Sequence, residues 1–593
     1  MIDKLKKLTK DERVKKIINK IKSIPPKYGY IAIAVFAAIV CVISIISAVT
    51  KHNIKQMVTE TLPQSFIVFA EDNNTVYVTD DLQLLQEFTY NDETYNIKWS
   101  SSNKKIINTE GVVVRPEKKN AQVTLTANIK KGITSVDFDY ELTVICSNII
   151  NATEMQSLKS EAIFTDDFLT GMKFEKNNLV LNTDIDAALF AEYYINQLQL
   201  TPSKVQFAFE QVETSLTGKV FMLKQANNGV KLQDTYCNVF VNQKGNPIEI
   251  SIHLEMSNIV SDTDLVTEQD VISAFLAMRG GDVKNIYSIT EEYIDTTKMY
   301  KITHLNTNDL YVLFISQDEV IQNRVRDAKD TLKASNKTTI RNNVVKPYEA
   351  ITPNTEWGIN IHTNTTNDVE LYTAISKNIN IAQKWFDNKF NMWSFDNKGA
   401  DIDVLVDKEI GTNITRYSQS LNLFYFNHTD GHVDHMGSRL DVVAHEYSHA
   451  VFNSIVGAID KPTAEIAPIM EAYADVFACL VDNTWVVGEE MHEDGRDMRN
   501  IKDSTAKYHD ESWSEINHHS NSIVLTRVAY LMSENGIKNA DIAKIWYQSM
   551  FYGYHNDSTY IDVQHNLVKA ATALGYSEKT INTINDCFKE IGL

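Results

Sequence analysis

The chain has 593 residues, of which 43% are hydrophobic and 23% are charged, and its formal net charge is -20 at pH 7. This length and apolar content suffice for several separate cores, so we expect a multidomain protein. The negative charge argues against nucleic acid as a partner. Five scattered cysteines are too few for a disulfide framework, so buried free thiols are expected, with a Cys479 to Cys587 bridge as the alternative.

The N-terminal segment has the pattern of a membrane anchor. Residues 31–49 form an uncharged apolar stretch that is long enough to cross a bilayer as a helix. Ten Lys or Arg and three acidic residues precede it within residues 1–28. The positive-inside rule therefore predicts a basic cytoplasmic tail at 1–28, a transmembrane signal anchor at 29–50 and an extracellular remainder. A cleaved signal peptide is the alternative, and the long basic segment favours a retained anchor.

Residues 60–147 have short runs of alternating polar and apolar side chains, which predict strands. The clearest runs are 76–78, 97–99, 111–114 and 122–127. Trp99 followed by three serines and Asn103, with the later Val-rich runs, resembles bacterial immunoglobulin-like domains. That resemblance implies an all-β sandwich that acts as a spacer or binds a ligand.

Residues 150–340 mix strand and helix patterns and carry no metal-binding motif. The runs 221–225 and 238–241 predict strands, and Thr267 is placed to cap a helix that reaches residue 275. A polar stretch between about residues 327 and 345 separates this α+β region from the last part of the chain.

The last part, residues 345–593, is predicted to be α+β with two lobes. Its first half contains strand patterns at 359–362, 402–406 and 423–426 and a helix pattern from about residue 374 to 390. Its second half is mostly helical. Substrate grooves commonly form between such lobes.

Within the helical half, His445-Glu446-Tyr447-Ser448-His449 is the sequence HExxH. On a helix its i, i+4 spacing places both imidazoles on one face, with Glu446 beside them as a candidate general base. A third ligand is expected on a nearby helix, and Glu471 lies in an apolar helical run from 465 to 481. Asp475, four residues further on, can accept a hydrogen bond from a ligand imidazole and fix its tautomer.

These residues resemble the thermolysin family of neutral zinc metalloproteases. The family's zinc segments are matched at 441–450 and 471–475, and its His-x-Asn-Ser segment is matched at 519–522. The resemblance implies a zinc endopeptidase in which His445, His449 and Glu471 hold zinc. It also implies that Glu446 takes a proton from a zinc-bound water and that His519 stabilises the oxyanion.

The same resemblance suggests three residues that contact substrate. Arg496 would hold the substrate carbonyl, Asn422 would lie on an edge strand that pairs with the peptide backbone, and Val442 would line the apolar pocket. Met470 departs from the family pattern, because the usual Asn before the third ligand braces a zinc-bound His and Met cannot donate a hydrogen bond.

Calcium is also implied by the resemblance. The corresponding carboxylates are Asp441, Asp482 and Glu489, with Glu490 nearby. With carbonyls and water, three or four carboxylates can hold one hard cation, so one calcium site is expected.

Residues 150–340 resemble the propeptides of thermolysin-type enzymes. That resemblance implies a region that assists folding and keeps the protease inactive until the chain is cut between about residues 327 and 345. The expected partners are therefore the chain's own propeptide, a membrane through residues 29–50, and protein or peptide substrates. The expected location is the cell membrane with the catalytic domain outside, either retained there or released after processing.

Two other functions fit the same sequence. One is a tethered processing protease for a single specific partner. The other is a catalytically silent surface adhesin that reuses the protease scaffold, with the immunoglobulin-like domain binding a wall polymer or host protein.

Overall fold

The structure is a computed structural model that describes about two thirds of the chain. The described residues are 54, 66–69, 78–90, 93–116, 120–131, 134–146, 150, 155–165, 168–201, 204–227, 229–256, 272, 286–294, 297–306, 309–315, 320–323, 349–350, 359–363, 369–407, 415–419, 422–427, 436–457, 459, 465–491, 496–510, 513 and 517–593.

Several predictions fall outside these residues. They are the basic tail at 1–28, the transmembrane segment at 29–50, the start of the capped helix at residue 267 and the processing stretch at 327–345. Within the described part of the chain, no helix is both long enough and apolar enough to cross a membrane.

The first domain is all-β. Its strands are β1 (Ile67–Val68), β2 (Gln83–Leu84), β3 (Glu87–Tyr90), β4 (Glu93–Ser101), β5 (Ala121–Lys131) and β6 (Thr134–Val144). Strands β3 to β6 form an antiparallel sheet in chain order, and β1 pairs with β2.

Alternation along these strands fills one core. Along β5, Val123, Leu125, Ala127 and Ile129 are fully buried, as the period of two requires for one face of a sheet. The Trp99 indole is buried on β4 and donates to the Leu85 carbonyl at 2.7 Å. The predicted run at 111–114 forms only an isolated bridge between Val113 and Ile107.

The next region contains a seven-stranded sheet and a helix. Its elements are β7 (Ser160–Thr165), β8 (Phe168–Phe174), α1 (Asp184–Gln197), β9 (Gln206–Ser215), β10 (Gly218–Asn227), β11 (Val230–Lys231), β12 (Tyr236–Asn242) and β13 (Pro247–His253). The strand order is β11-β10-β12-β13-β8-β7, and β9 also pairs with β10. Because residues 150–340 were predicted as a propeptide, this region is called the pro-region below.

Helix α1 covers one face of that sheet. A capping box between Thr183 and Asp186 starts the helix, and its Phe190 and Tyr194 rings pack against Phe174 at centroid distances of 4.8 and 4.9 Å. A separate antiparallel sheet follows, made of β14 (Ile286–Ile294), β15 (Thr297–Asn306), β16 (Asp309–Ile315) and β17 (Val320–Asn323).

The sheet lobe of the last part contains β18 (Glu349–Ala350), β19 (Ile359–Thr363), α2 (Val369–Phe390), β20 (Ile402–Asp407), β21 (Arg416–Ser418) and β22 (Leu423–Asn427). The order is β18-β19-β20-β22-β21, with β19, β20 and β22 parallel. The predicted strands and helix are therefore present, with α2 beginning five residues earlier than the pattern indicated.

The helical lobe follows. It consists of α3 (Leu440–Val456), α4 (Ile466–Asp482), β23 (Val486–Val487), β24 (Arg499–Asn500), α5 (His518–Glu534), α6 (Asn539–Met550), α7 (Tyr560–Ala573) and α8 (Glu578–Glu590). One apolar core joins these helices to α2 and the parallel strands. Cys479 and Cys587 are buried free thiols within this lobe, as the sequence favoured.

The second face of the pro-region sheet packs on the helical lobe. Val220, Met222 and Phe240 belong to the same apolar core as the helices, and Phe240 stacks on Tyr552 with ring centroids 4.8 Å apart. Polar side chains of the sheet also bond to the loop after α6, since Ser251 Oγ donates to the Tyr552 carbonyl at 2.7 Å. The pro-region is thus docked through both apolar and polar contacts.

A buried carboxyl lies in this interface. Glu213 is 3% exposed, and its Oε2 accepts a hydrogen bond from Asn397 Nδ2 at 3.0 Å, whereas no partner of its Oε1 is found among the described residues. Burial raises the pKa of Glu213 from 4.5 to about 7, against the opposing effects of the Asn397 hydrogen bond and the Lys398 charge.

Docking stability should therefore depend on the protonation of Glu213. Glu213 binds its proton more tightly in the folded state than in the unfolded state. The stabilisation that protonated Glu213 gives to the folded state is therefore complete below pH 4.5 and is lost as pH rises through about 7. We expect Glu213→Gln to raise the melting temperature at pH 8 by about 2–8 °C and to change it little at pH 5. Glu161→Gln, at an exposed position on β7, is the control. Equal shifts at both pH values would contradict the assignment.

Candidate metal centre

Helices α3 and α4 bring the three predicted ligands together. Nε2 of His445 lies 3.1 Å from Nε2 of His449 and 3.2 Å from Oε2 of Glu471, and Nε2 of His449 lies 3.5 Å from Oε1 of Glu471. A tetrahedral ion with ligand bonds of about 2.0–2.1 Å has ligand atoms roughly 3.3 Å apart. The three side chains therefore fit a zinc ion closely.

The charge balance of this cluster also favours a cation. Burial lowers the pKa of His445, but hydrogen bonds to Asp475 and Glu471 outweigh it and raise the value to about 10. Burial alone would raise the pKa of Glu471, yet His449, His445 and His519 hold it well below its usual range. The carboxylates of Asp475 and Glu471 therefore attract positive charge to the imidazole nitrogens, where a divalent ion can supply it.

Asp475 fixes the orientation of His445. This carboxylate is fully buried, and its Oδ1 lies 2.8 Å from Nδ1 of His445 and 2.7 Å from a terminal nitrogen of Arg499. Ser522 Oγ donates to its other oxygen at 3.1 Å. Because Nδ1 of His445 donates to Asp475, Nε2 keeps its lone pair for the metal.

The structure brings Arg499, rather than Arg496, to this cluster. The Arg499 side chain is 8% exposed and donates hydrogen bonds to Asp475 from both its Nε and a terminal nitrogen. Arg496, three residues earlier, is exposed. The sequence analysis assigned the substrate-binding role to Arg496 from the residues adjacent to it, and so did not identify Arg499. The sequence signal was the apolar residue Ile501 two positions after Arg499, and the structure buries Ile501 fully.

The edge strand beside the site is β21, so the prediction that residues 422–425 form it is wrong. Strand β22 lies between β20 and β21, and its Leu423 to Phe426 are all buried, as an uninterrupted apolar run requires of an interior strand. Asn422 instead lies in the turn before β22 with φ 49°, where its Oδ1 accepts from the Tyr417 hydroxyl at 2.9 Å.

Glu446 faces this edge strand. It is 5% exposed, and its Oε2 accepts a hydrogen bond from the backbone N–H of Tyr417 on β21 at 2.6 Å. This bond links the helical lobe to the sheet lobe across the gap between α3 and β21, which is called the cleft below. The candidate general base therefore lies between the metal cluster and a strand edge.

His519 approaches the cluster from the first turn of α5. Its Nδ1 lies 2.9 Å from Oε2 of Glu471, and its side chain is 60% exposed. Val442 is buried one turn before the ligands, in a small apolar cluster with Met436, Met491 and the partly buried Met498. The His519 side chain is therefore accessible from solvent at the edge of the cluster, whereas Val442 is packed among methionines.

The predicted calcium carboxylates crowd together at the C-terminal end of α4. Burial raises the pKa of Asp482, and the charges of Asp441 and Glu489 raise it further. Asp441 also accepts a hydrogen bond from the Gly488 backbone, and Glu489 accepts one from the Thr484 hydroxyl at 3.1 Å. Glu490 lies exposed beside them.

Comparison with known proteins relates three segments of the chain to families. Residues 58–147 match an atrophied bacterial Ig domain, 292–453 match the thermolysin metallopeptidase catalytic domain, and 457–593 match the thermolysin metallopeptidase alpha-helical domain. The catalytic-domain match begins at residue 292, within the range predicted as a propeptide.

Curated relatives agree with these matches. A bacillolysin of Brevibacillus brevis is 28% identical over 241 residues, which are 36% of this chain and 44% of the relative. The thermostable neutral protease NprT of Geobacillus stearothermophilus is 28% identical over 182 residues, which are 26% of this chain and 33% of the relative. The chain thus spans less than half the length of each.

A solved structure, the precursor of protealysin from Serratia proteamaculans, aligns with 42% of this chain and 90% of its own, at 19% identity. The TM-score is 0.35, which is too low to relate the two folds.

Removing the charge of Asp475 should weaken metal binding. Asp475→Asn keeps a hydrogen-bond acceptor for His445 but removes the carboxylate that favours a cation, so we expect zinc affinity to fall by about 10–100-fold. Competition with a chelator of known affinity measures this, and Asp586→Asn, at an exposed position on α8, is the control. Unchanged affinity would show that Asp475 does not support the metal.

Proposed function

Because residues 292–593 belong to the thermolysin metallopeptidase family, we propose that this protein is a zinc-dependent endopeptidase. The observation that carries the proposal is the triangle of His445, His449 and Glu471, whose ligand atoms are spaced for zinc. Glu446 lies on the same helix as His445 and His449 and accepts a hydrogen bond from the Tyr417 backbone. Protein or peptide substrates follow from this activity.

Glu446 and His519 have different roles in the proposed hydrolysis. A zinc ion held by His445, His449 and Glu471 would act as a Lewis acid, polarising the scissile carbonyl and acidifying the attacking water. Glu446 accepts the proton of the attacking water and delivers it to the leaving amine. His519, which is exposed at the edge of the cluster, donates to the developing oxyanion.

The edge strand β21 of the sheet lobe is the element that would orient the substrate. Strand β21 pairs with β22 on one side and faces Glu446 through Tyr417 on the other. An extended peptide added along β21 would be held by backbone hydrogen bonds, which impose little side-chain selection. Arg499 takes the carbonyl-binding role that the sequence suggested for Arg496, since it is the arginine beside the cluster.

The finer proposal is a membrane-anchored zymogen that works outside the cell. The apolar stretch at 31–49, behind ten basic residues, supports the anchor. The docking of the pro-region sheet on the helical lobe supports a precursor in which that region assists folding and inhibits. Crowded carboxylates at Asp441, Asp482 and Glu489 support one calcium ion as a second cofactor.

Self-processing of the full chain tests this function. The wild type and Glu446→Gln are incubated with zinc and calcium, and their masses are followed over time. We expect the wild type to shorten to a fragment that begins between about residues 327 and 345, and the variant to stay intact. Glu446→Gln removes the base while leaving the zinc ligands, so hydrolysis should fall by at least about 10²–10⁴-fold with zinc retained.

Other outcomes separate the rival functions. If neither chain shortens but an added protease produces peptide cleavage in the wild type alone, the zymogen needs an outside activator. Cleavage of few members of a broad peptide library would indicate a dedicated processing enzyme. A chain that binds no zinc and cuts nothing would refute the peptidase and leave the adhesin.

The two arginines provide a second test. Arg499→Lys keeps the charge but cannot reproduce the two-nitrogen contact with Asp475, so we expect kcat/KM to fall by about 10–100-fold. Arg496→Lys should leave kcat/KM within about twofold of wild type. A larger fall in kcat/KM for Arg496→Lys than for Arg499→Lys would assign the carbonyl-binding role to Arg496, as the sequence suggested.

A further inference from the structure

A second group of metal-ligating side chains lies at the docked interface, away from the zinc triangle. Asp234 precedes β12, His253 ends β13, and His555 lies in the loop between α6 and α7. One ligand atom from each lies within 4.8 Å of the others, and all three side chains are half-buried. Two residues come from the pro-region and one from the helical lobe, so the group spans the interface.

The contacts around this group are well defined. The His253 and His555 rings stack with centroids 3.6 Å apart and planes 6° apart. Oδ1 of Asp234 accepts a hydrogen bond from the Asn556 backbone at 2.8 Å, which draws the carboxylate toward His555. This hydrogen bond joins the pro-region to the helical lobe beside the stacked imidazoles.

The surroundings suit a cation. The carboxylates of Asp557, Asp562 and Glu255 are close enough to His253 to act on it electrostatically. A cavity of about 30 Å³ lies against His555, and its polar walls include Ser251, Asp562 and Lys569. That volume holds about one water molecule, which can complete a four-coordinate ion.

We propose that Asp234, His253 and His555 form a second zinc site, which clamps the pro-region to the helical lobe. Two imidazoles and one carboxylate are a donor set typical of zinc and other late divalent metals. Calcium and magnesium prefer an all-oxygen shell, so they are poor occupants.

Binding requires a small rearrangement. In the parallel stack the two rings face one another, so an ion that takes one nitrogen from each makes them tilt. His555 Nδ1 accepts from the Asp557 backbone at 3.3 Å, a long hydrogen bond that is lost if the tautomer changes or the metal takes that nitrogen.

The clamp gives zinc a role in holding the precursor together. An ion whose ligands come from both regions binds the docked state and not the separated one, so it stabilises docking by mass action. This site shares no residue with the zinc triangle, so it does not rest on the proposed peptidase activity.

Zinc content tests the clamp in the full chain. Glu446→Gln is the background because it prevents self-cleavage. After zinc loading and dialysis we expect about two zinc ions per chain in this background, about one when His253→Phe is added, and about one when His449→Ala is added instead. With both added, bound zinc should be close to none. His253→Phe keeps an aromatic ring for the stack. His565→Ala, at a residue that lines the same cavity, is the control and should still bind about two zinc ions per chain.

Melting curves keep the result interpretable if a variant folds poorly. In the Glu446→Gln, His449→Ala chain, zinc should raise the melting temperature, and that rise should vanish with His253→Phe or Asp234→Asn. Absence of a rise in the parent chain, or loss of zinc in His565→Ala instead of His253→Phe, would overturn the clamp. Zinc content that falls with His449→Ala but not with His253→Phe would leave only the zinc triangle.

Discussion

The candidate site depends on one buried carboxylate. Asp475 has no exposed surface, yet it contacts His445, Arg499 and Ser522, which come from three separate elements. A buried charge is tolerated only when it is paired and hydrogen-bonded, and Arg499 supplies the charge while Ser522 and His445 supply the bonds. The same contacts that make Asp475 tolerable also set the imidazole for metal binding, so stability and function share one set of atoms.

The sequence predicted the metal ligands because they depend on local geometry. The i, i+4 spacing of His445 and His449 is fixed by any α-helix, and Glu471 lies on a helix whose apolar pattern is strong. The substrate side was harder to predict, because it depends on which strand lies at the sheet edge. Leu423 to Phe426 and Arg416 to Ser418 are both strands, but only the pairing order places the second at the cleft.

The interface of the pro-region shows a second limit of sequence patterns. Buried Glu213 and the stacked His253 and His555 acquire their environments only when two distant parts of the chain meet. No periodicity links residue 253 with residue 555, so a group formed by their contact has no local signature. Apolar residues of the same interface, such as Met222 and Phe240, lie within the runs 221–225 and 238–241, which the sequence predicted as strands.

The hydrogen bond between Tyr417 and Glu446 constrains how the cleft can work. Its donor belongs to the edge of the sheet lobe and its acceptor to the helical lobe, so it spans the gap that a peptide substrate of the proposed protease would enter. A strand that pairs with β21 at Tyr417 competes for the donor on which the Glu446 carboxylate rests. Pairing of a peptide backbone with β21 and release of the Glu446 carboxylate from Tyr417 would then be a single event.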